Sequence, residues 1–243
     1  MTPTIEFYSL FQFIYDYFNK DLFNNELPNC MIVITRKTYT MGYYSNERWV
    51  NKDKKKTDEL AMNPLYFSNR NFIEVLQTMA HEMCHVWQFH FGNTSRGGYH
   101  NKEWGNKMES IGLMPSNTGK VGGKKTGQQM MDYPIQNGVF FKSCFKLIEN
   151  DIFETLWYDR TFKEKVENIT SNHENVIPEF NNVDDKIVDL LYTPFQVETP
   201  IFESTQDSSK SKYQCPNCRT NIWGKRNLSI ICGLCDSEYY NVE

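Results

Sequence analysis

The sequence lacks long apolar runs and is poor in glycine and proline. No stretch approaches the roughly 18 apolar residues that a transmembrane helix needs. Glycine and proline together account for 22 of 243 residues, which excludes collagen-like and low-complexity chains. Residues 1–23 carry no early positive charge and are interrupted by acids and amides, unlike a secretory signal. We therefore expect a globular cytoplasmic protein with reduced thiols and no membrane partner.

A strong charge of one sign is also absent, since the net charge is only −4. This value argues against a surface that binds nucleic acid throughout, but the charge is unevenly distributed. Residues 1–146 carry +4, residues 147–212 carry −8, and residues 213–243 are neutral. We expect three regions with these boundaries: a folded core, a helix followed by an acidic polar connector, and a small C-terminal domain.

Apolar periodicity predicts an α+β core. Apolar side chains recur every three or four residues over 7–22, which predicts an amphipathic helix with an aromatic face. Three shorter stretches, 31–35, 41–50 and 59–62, read as strands. We expect these strands to form a small, largely antiparallel sheet.

A second amphipathic helix follows the predicted sheet. Asn71 precedes it with Glu74 three residues later, which is the pattern of a capping box, and Gly92 marks its end. Beyond it the pattern predicts a short helix, a glycine- and lysine-rich loop, one more strand and a further helix. These elements fall at about 101–111, 116–129, 130–141 and 141–156. The apolar patch 187–197 in the connector is expected to dock elsewhere on the protein.

Four of the seven cysteines form two CxxC pairs that are separated by 13 residues: Cys215, Cys218, Cys232 and Cys235. This spacing is typical of a zinc ribbon, in which two knuckles supply four thiolates to one tetrahedral ion. Two disulfides are the alternative, but they fit poorly with the absence of a secretion signal. A segment of this size has too little core to fold alone, so the metal would supply its folding free energy.

The motif that carries chemistry is His81-Glu82-x-x-His85 within the second helix. Residues four apart lie about 40° apart around a helix, so both imidazoles project from one face and can bind one zinc ion. Glu82 flanks that face and is placed to accept a proton from a zinc-activated water as it attacks a peptide carbonyl. The alternative is that both histidines are core imidazoles. The helical context favours the metal site.

A catalytic zinc site needs a third protein ligand. His90 lies nine positions after His81 and faces the opposite side of the helix, so we assign it to packing or to the surface. His100 is the strongest candidate, because it precedes the next helix and follows a glycine pair that lets the chain turn back. Glu103 and Glu109 in that helix are the alternatives.

The motif at 81–85, together with the segment 98–104, resembles the SprT-like family of zinc metallopeptidases, which includes Spartan. The segments 15–28 and 59–64 also resemble the family's first helix and the stretch before its active-site helix. The resemblance extends over about residues 5–145. A C-terminal ribbon with two CxxC pairs recurs in the family as well.

This resemblance implies a compact gluzincin-like fold with His81, His85 and His100 as ligands of the catalytic zinc and Glu82 as general base. It also implies cleavage of proteins, in the best-known members proteins that are bound or crosslinked to DNA during DNA repair. We therefore expect two zinc ions, one catalytic and one structural, in a monomer that is associated with the nucleoid, or with the nucleus in a eukaryote.

Clusters of basic residues give DNA binding some support of their own. Single strands are held by stacking on aromatic rings and by phosphate contacts, and the chain offers both. The alternative for each cluster is a solvated loop. The candidates are Lys52, Lys54, Lys55, Lys56, Lys120, Lys124, Lys125, Trp223, Lys225 and Arg226.

Oxyanion stabilisation has weaker candidates, namely Tyr133, Tyr99 and Arg96 in the loops around the predicted site, and packing is the favoured role for the two tyrosines. The leading hypothesis is an endopeptidase that acts on DNA-associated proteins, with DNA bound weakly. One alternative is a non-catalytic nucleic-acid-binding adaptor with two structural zincs. The other is a general intracellular peptidase without a role on DNA.

Overall fold

The computed structural model describes residues 2–67, 70–149, 156–159, 161–162, 185–192, 201–202 and 210–242. These residues form a mixed α+β protein with several small sheets. The chain divides into two compact units, Met1–Ile201 and Phe202–Glu243. Within the described residues, no helix combines the length and the apolar character that crossing a membrane requires.

The first unit begins with helix α1, Pro3–Phe23. The aromatic face predicted from the sequence is buried in the main core, where Phe18 packs against Phe140 with 5.9 Å between ring centroids. The helix ends at Asn24, which adopts the left-handed conformation (φ 55°) that asparagine tolerates better than most residues. The predicted helix is confirmed.

Three strands form the first sheet: β1 (Met31–Ile34), β2 (Gly42–Val50) and β3 (Lys56–Met62), in the order β1-β3-β2. The antiparallel prediction holds for β2 and β3, but it is wrong for β1, which runs parallel to β3. The reason is that the chain crosses from β1 to the far edge, forms β2, and returns through a turn as the central strand β3. Periodicity reports which face of a strand is buried, not which strand lies beside it.

Helix α2, Phe72–Phe91, packs against this sheet and carries the HExxH motif. The Glu74 carboxylate accepts the Asn71 backbone N–H at 2.9 Å, which fixes the first turn. Gly92 follows the last helical residue, as predicted. The buried face of α2 joins the same core as α1.

Two helices and a strand pair follow: α3 (Lys102–Ser110), β4 (Leu113–Ser116) with antiparallel β5 (Met131–Pro134), and α4 (Val139–Ile148). The strand expected within 130–141 is therefore present. The boundary predicted at residue 146 falls inside α4, because Leu147 and Ile148 are buried in the main core. Ile152, which was expected to extend this helix, lies outside the described residues.

Part of the predicted connector also belongs to the first unit. Helix α5, Asp185–Tyr192, contacts α2, and Leu191 is fully buried in the main core. The expected docking of the patch 187–197 is thus seen for its described part, 187–192. Strands β6 (Thr161–Phe162) and β7 (Ile201–Phe202) form a two-stranded sheet. The remainder of 147–212 lies largely outside the described residues.

The second unit contains a three-stranded antiparallel sheet in the order β10-β8-β9, formed by β8 (Lys210–Gln214), β9 (Asn221–Lys225) and β10 (Tyr240–Val242). Tyr213 is its buried anchor. The Tyr213 hydroxyl donates to the Lys225 carbonyl at 2.6 Å and accepts the Leu228 N–H at 3.0 Å. The sheet brings the two CxxC pairs together.

Candidate metal centre

Three histidines meet above helix α2. His81 and His85 project from the helix one turn apart, and His100 enters from the loop before α3. One ring nitrogen of each lies within 4.8 Å of those of the other two, and the Nε2 atoms of His85 and His100 are 3.1 Å apart. Zinc–nitrogen bonds of about 2.0–2.1 Å in a tetrahedron would separate such atoms by roughly 3.4 Å. The donor set therefore fits one zinc ion.

Hydrogen bonds on the opposite ring nitrogens orient two of these imidazoles. The buried Asp132 carboxylate on β5 accepts from His81 Nδ1 at 2.8 Å. The Gly127 carbonyl accepts from His100 Nδ1 at 3.3 Å. Because Nδ1 is engaged in both residues, Nε2 is left as the nitrogen for a metal.

The electrostatic environment favours neutral imidazoles at two positions. Burial lowers the pKa of His85 well below its ordinary value, and burial with the nearby His81 lowers the pKa of His100 to about 4. For His81 burial acts in the same direction, but the hydrogen bond that its ring donates to Asp132 and the charges of Glu82 and Asp132 outweigh it and raise its pKa. Neutral nitrogens bind metal ions, since a protonated imidazole has no free lone pair.

Glu82 is buried beside the three histidines. Burial raises its pKa to about 7, and Asp132 adds to that effect, whereas His81 and a backbone hydrogen bond from Tyr44 oppose it. Glu82 thus faces β2 as well as the histidine cluster. A carboxylate in this place can exchange a proton with a group bound between the imidazoles.

The rear of the cluster is closed by Trp104 on α3, which is fully buried. Its ring centroid lies 4.4 Å from that of His100 and 4.9 Å from that of His81. The front opens into a cavity of about 1500 Å³ that is lined by α2, β2, β5 and the loops around them. The histidines therefore have a rear that is closed by a buried side chain and an accessible front.

A second hydrogen-bond network holds the loop that carries His100. Buried Gln88, one turn beyond His85, donates to Asn101 Oδ1 at 2.7 Å and to Glu103 Oε2 at 3.0 Å. Glu103 Oε2 also accepts the Asn93 N–H at 2.6 Å. Glu103 is thus engaged in holding this loop rather than facing the cluster, and Glu109 pairs with Lys125 at 2.9 Å. Neither glutamate joins the three histidines.

The proposed oxyanion residues differ in their placement. Tyr133 is half-buried and lines the cavity next to Asp132, and exposed Tyr99 also lines it. Arg96 is exposed in the loop before His100 and is not among the residues lining the cavity. His90 donates to Asp58 at 2.6 Å on the far side of α2, which agrees with its assignment away from the metal.

The basic candidates lie on the surface. Lys52, Lys54 and Lys55 are exposed in the turn between β2 and β3, while Lys56 pairs with Glu47 at 2.7 Å. In the loop between β4 and β5, Lys120 lines the cavity and Lys124 is exposed. In the second unit, Trp223 is 64% exposed on β9, with exposed Lys225 and Arg226 just after it.

The four paired cysteines form a second candidate metal site, and no disulfide joins them. Cys218 and Cys232 have their sulfur atoms 3.7 Å apart. Zinc–sulfur bonds of about 2.3 Å in a tetrahedron would give a separation of roughly 3.8 Å, so this donor set also fits zinc. Hydrogen bonds from Thr220 lower the pKa of Cys218 to about 6, which favours the thiolate.

Asp132 and Gln88 were missed by the sequence reasoning. Asp132 lies 51 positions from His81, and nothing in the local pattern links the two. Gln88 offered a weak signal, because a polar residue at a buried helix position must find hydrogen-bond partners.

Replacing Asp132 with asparagine should weaken zinc binding at the histidine cluster by about ten- to a hundredfold, because the charge that orients His81 is lost. Chelator competition would measure this in a chain that also carries Cys215→Ser, so that the cysteine site does not contribute. Glu109→Gln, which removes only the exposed pair with Lys125, is the matched control. An affinity within twofold of the parent chain would contradict the role of Asp132.

Comparison with known proteins agrees with the geometry. The model of the SprT-like family matches residues 11–121, a range that includes all three histidines and Glu82. An uncharacterized protein in the mucB 3' region of Salmonella typhimurium is 47% identical over 51 residues, which cover 21% of this chain and 69% of that protein. No solved structure matches the chain. The chain belongs to the SprT-like family.

Proposed function

We propose that the chain is a zinc-dependent endopeptidase. The observation that carries the proposal is a buried carboxylate, Glu82, beside three convergent imidazoles at the floor of an open cavity. A purely structural zinc site is closed by four protein ligands, whereas a catalytic site keeps one position open. Among the described residues, only His81, His85 and His100 group together at this place.

Each residue then has a chemical task. Zinc, when bound, supplies Lewis acidity that polarises a peptide carbonyl and activates water. Glu82 accepts the proton of the attacking water and delivers it to the leaving amine. Asp132 keeps His81 oriented, and Trp104 keeps water from the rear of the ligands. Tyr133 is the preferred donor to the oxyanion, since it is half-buried in the cavity beside Asp132.

The fold supports an extended protein substrate. Residues 41–44 at the start of β2 line the cavity, and β2 has a strand partner on one side only within the described residues. An extended peptide can add to such an edge through main-chain hydrogen bonds. We also propose that the core is gluzincin-like, as the family resemblance implies; the packing of the helix that carries the HExxH motif against a small sheet is compatible with this.

Replacement of Glu82 by glutamine should lower turnover about 10²- to 10⁴-fold, because the general base is lost while the three histidines are retained. Cleavage of an unfolded protein substrate by the zinc-loaded full chain would measure turnover, and mass spectrometry would measure zinc content. Glu109→Gln serves as a charge-matched control with no place in the site. Full turnover in the Glu82 variant would reject the mechanism, and an inactive parent chain with both zincs bound would favour a non-catalytic adaptor.

We further propose that the proteins cleaved are associated with DNA, and that DNA is held weakly. The support is the exposed ring of Trp223 with the neighbouring Lys225 and Arg226, and separately Lys120, which lines the cavity, with exposed Lys124 in the same loop. Stacking of bases on an aromatic ring and contacts from cations to phosphates are the usual means of holding single strands.

The chain should therefore retard single-stranded DNA in electrophoresis at low salt. The complex should dissociate as the salt concentration rises, because binding to phosphates releases counterions and raised salt opposes that release. Trp223→Ala should weaken this binding by about ten- to a hundredfold if one base stacks on the ring. Ile5→Ala, an exposed apolar change in the first unit, is the control. No mobility shift at low salt would end the DNA proposal and leave a peptidase without DNA dependence.

A further inference from the structure

A buried carboxylate links the edge strand to the active-site helix at a distance from the histidine cluster. Asp58 on β3 is 4% exposed, and its Oδ2 accepts from the Tyr44 hydroxyl at 2.8 Å and from His90 Nε2 at 2.6 Å. Its Oδ1 accepts the Glu47 backbone N–H at 2.8 Å. We call the side chains of Asp58, Tyr44 and His90, together with the Glu47 backbone N–H, the Asp58 brace.

The brace is complete in its hydrogen bonding. A carboxylate is unfavourable in a buried position unless donors surround it, and three donors from two other elements do so here. Burial and the Asp58 carboxylate raise the pKa of Tyr44, so its hydroxyl stays protonated and donates. Tyr44 also packs on Phe89 of α2, with 6.2 Å between ring centroids. Strand β2 is therefore attached to α2 by polar and apolar contacts at one point.

The brace coincides with an irregularity in β2. The pairing register with β3 shifts between Ser45 and Trp49, and Glu47 within that stretch has a φ of 45°. A non-glycine residue with a positive φ is strained, and it keeps this conformation only where its surroundings hold it there. Asp58 does so by accepting the Glu47 N–H, so the carboxylate fixes both the bulge and the direction of the strand before it.

The strand segment before the bulge reaches Glu82. The Tyr44 backbone lies near the Glu82 carboxyl group, where it acts to lower the pKa of that group against the larger effect of burial. At Gly42 the strand lies so close to α2 that an added Cβ would stand 3.0 Å from Thr78 Cγ2 and 3.3 Å from Glu82 Cγ. The side chain of Tyr44 thus lies in the brace, while the strand segment that carries it packs closely beside the proposed general base.

We propose that Asp58, His90 and Tyr44 are positioning residues, which lock β2 to α2 so that the start of β2 stays packed beside Glu82. The inference rests on the proposed peptidase function. His90 then acts through Asp58 and Tyr44 and not through the metal. Loss of the brace lets β2 move away from α2, which misplaces Glu82 and the edge available to substrate while the three zinc ligands keep their positions.

The test compares Asp58→Asn, His90→Leu and Tyr44→Phe in the zinc-loaded full chain. Each should raise the hydrogen-exchange rate of amides 42–46 by about tenfold or more, because the strand opens locally without global unfolding. Each should also lower kcat by about tenfold at unchanged zinc content, because displacing a catalytic group by a fraction of an ångström reduces turnover. Tyr44→Phe retains the ring contact with Phe89, so it keeps the test valid if Asp58→Asn does not fold.

Glu47→Gln is the matched control, since it removes the exposed pair with Lys56 but retains the backbone N–H that Asp58 accepts. It should leave both exchange and kcat unchanged. A role confined to stability would lower the melting temperature of the variants and leave kcat of the folded protein at the parent value, which would overturn the proposal. Exchange at 42–46 within twofold of the parent would overturn it too. An inactive parent chain would refute the peptidase function, and exchange would still decide whether the brace holds β2.

Discussion

The convergence of three imidazoles on one point is the constraint on which the rest of the structure depends. Three ring nitrogens lie within 4.8 Å of one another in a site whose rear is closed by a fully buried tryptophan. Neutral nitrogens so arranged have unused lone pairs that a single cation satisfies together. Burial supports this state for His85 and His100, because it lowers the pKa of both.

Around this cluster, side-chain hydrogen bonds position the ligands more precisely than a loop alone would. Asp132 orients His81 from β5, and Gln88 ties down the loop that presents His100. On the other side of α2, Asp58 attaches the edge strand near Glu82. All three are buried polar residues whose hydrogen bonds join α2 to a neighbouring element. A site built in this way keeps its geometry because His81, the loop that carries His100 and the strand beside Glu82 each have a second point of attachment.

The sequence predicted those features that depend on spacing along one element. His81 and His85 share a helix face because they are four residues apart, and the CxxC pairs have ribbon spacing, so both candidate metal sites could be anticipated. His100 could be anticipated from the glycines before it and from the family resemblance. Asp132, and the bond between His90 and Asp58, could not, because they join positions 51 and 32 residues apart and no local periodicity records such pairs. The parallel pairing of β1 was missed for the same reason, since strand order depends on the path of the chain.

The most direct measurement is zinc stoichiometry by native mass spectrometry on the purified full chain, beside His100→Ala and Cys215→Ser variants. The account predicts two zinc ions in the parent chain and one in each variant, because the two donor sets share no residue. A parent chain whose single zinc persists in the His100→Ala variant, or a His100→Ala variant that retains both ions, would contradict the claim that three histidines hold a metal.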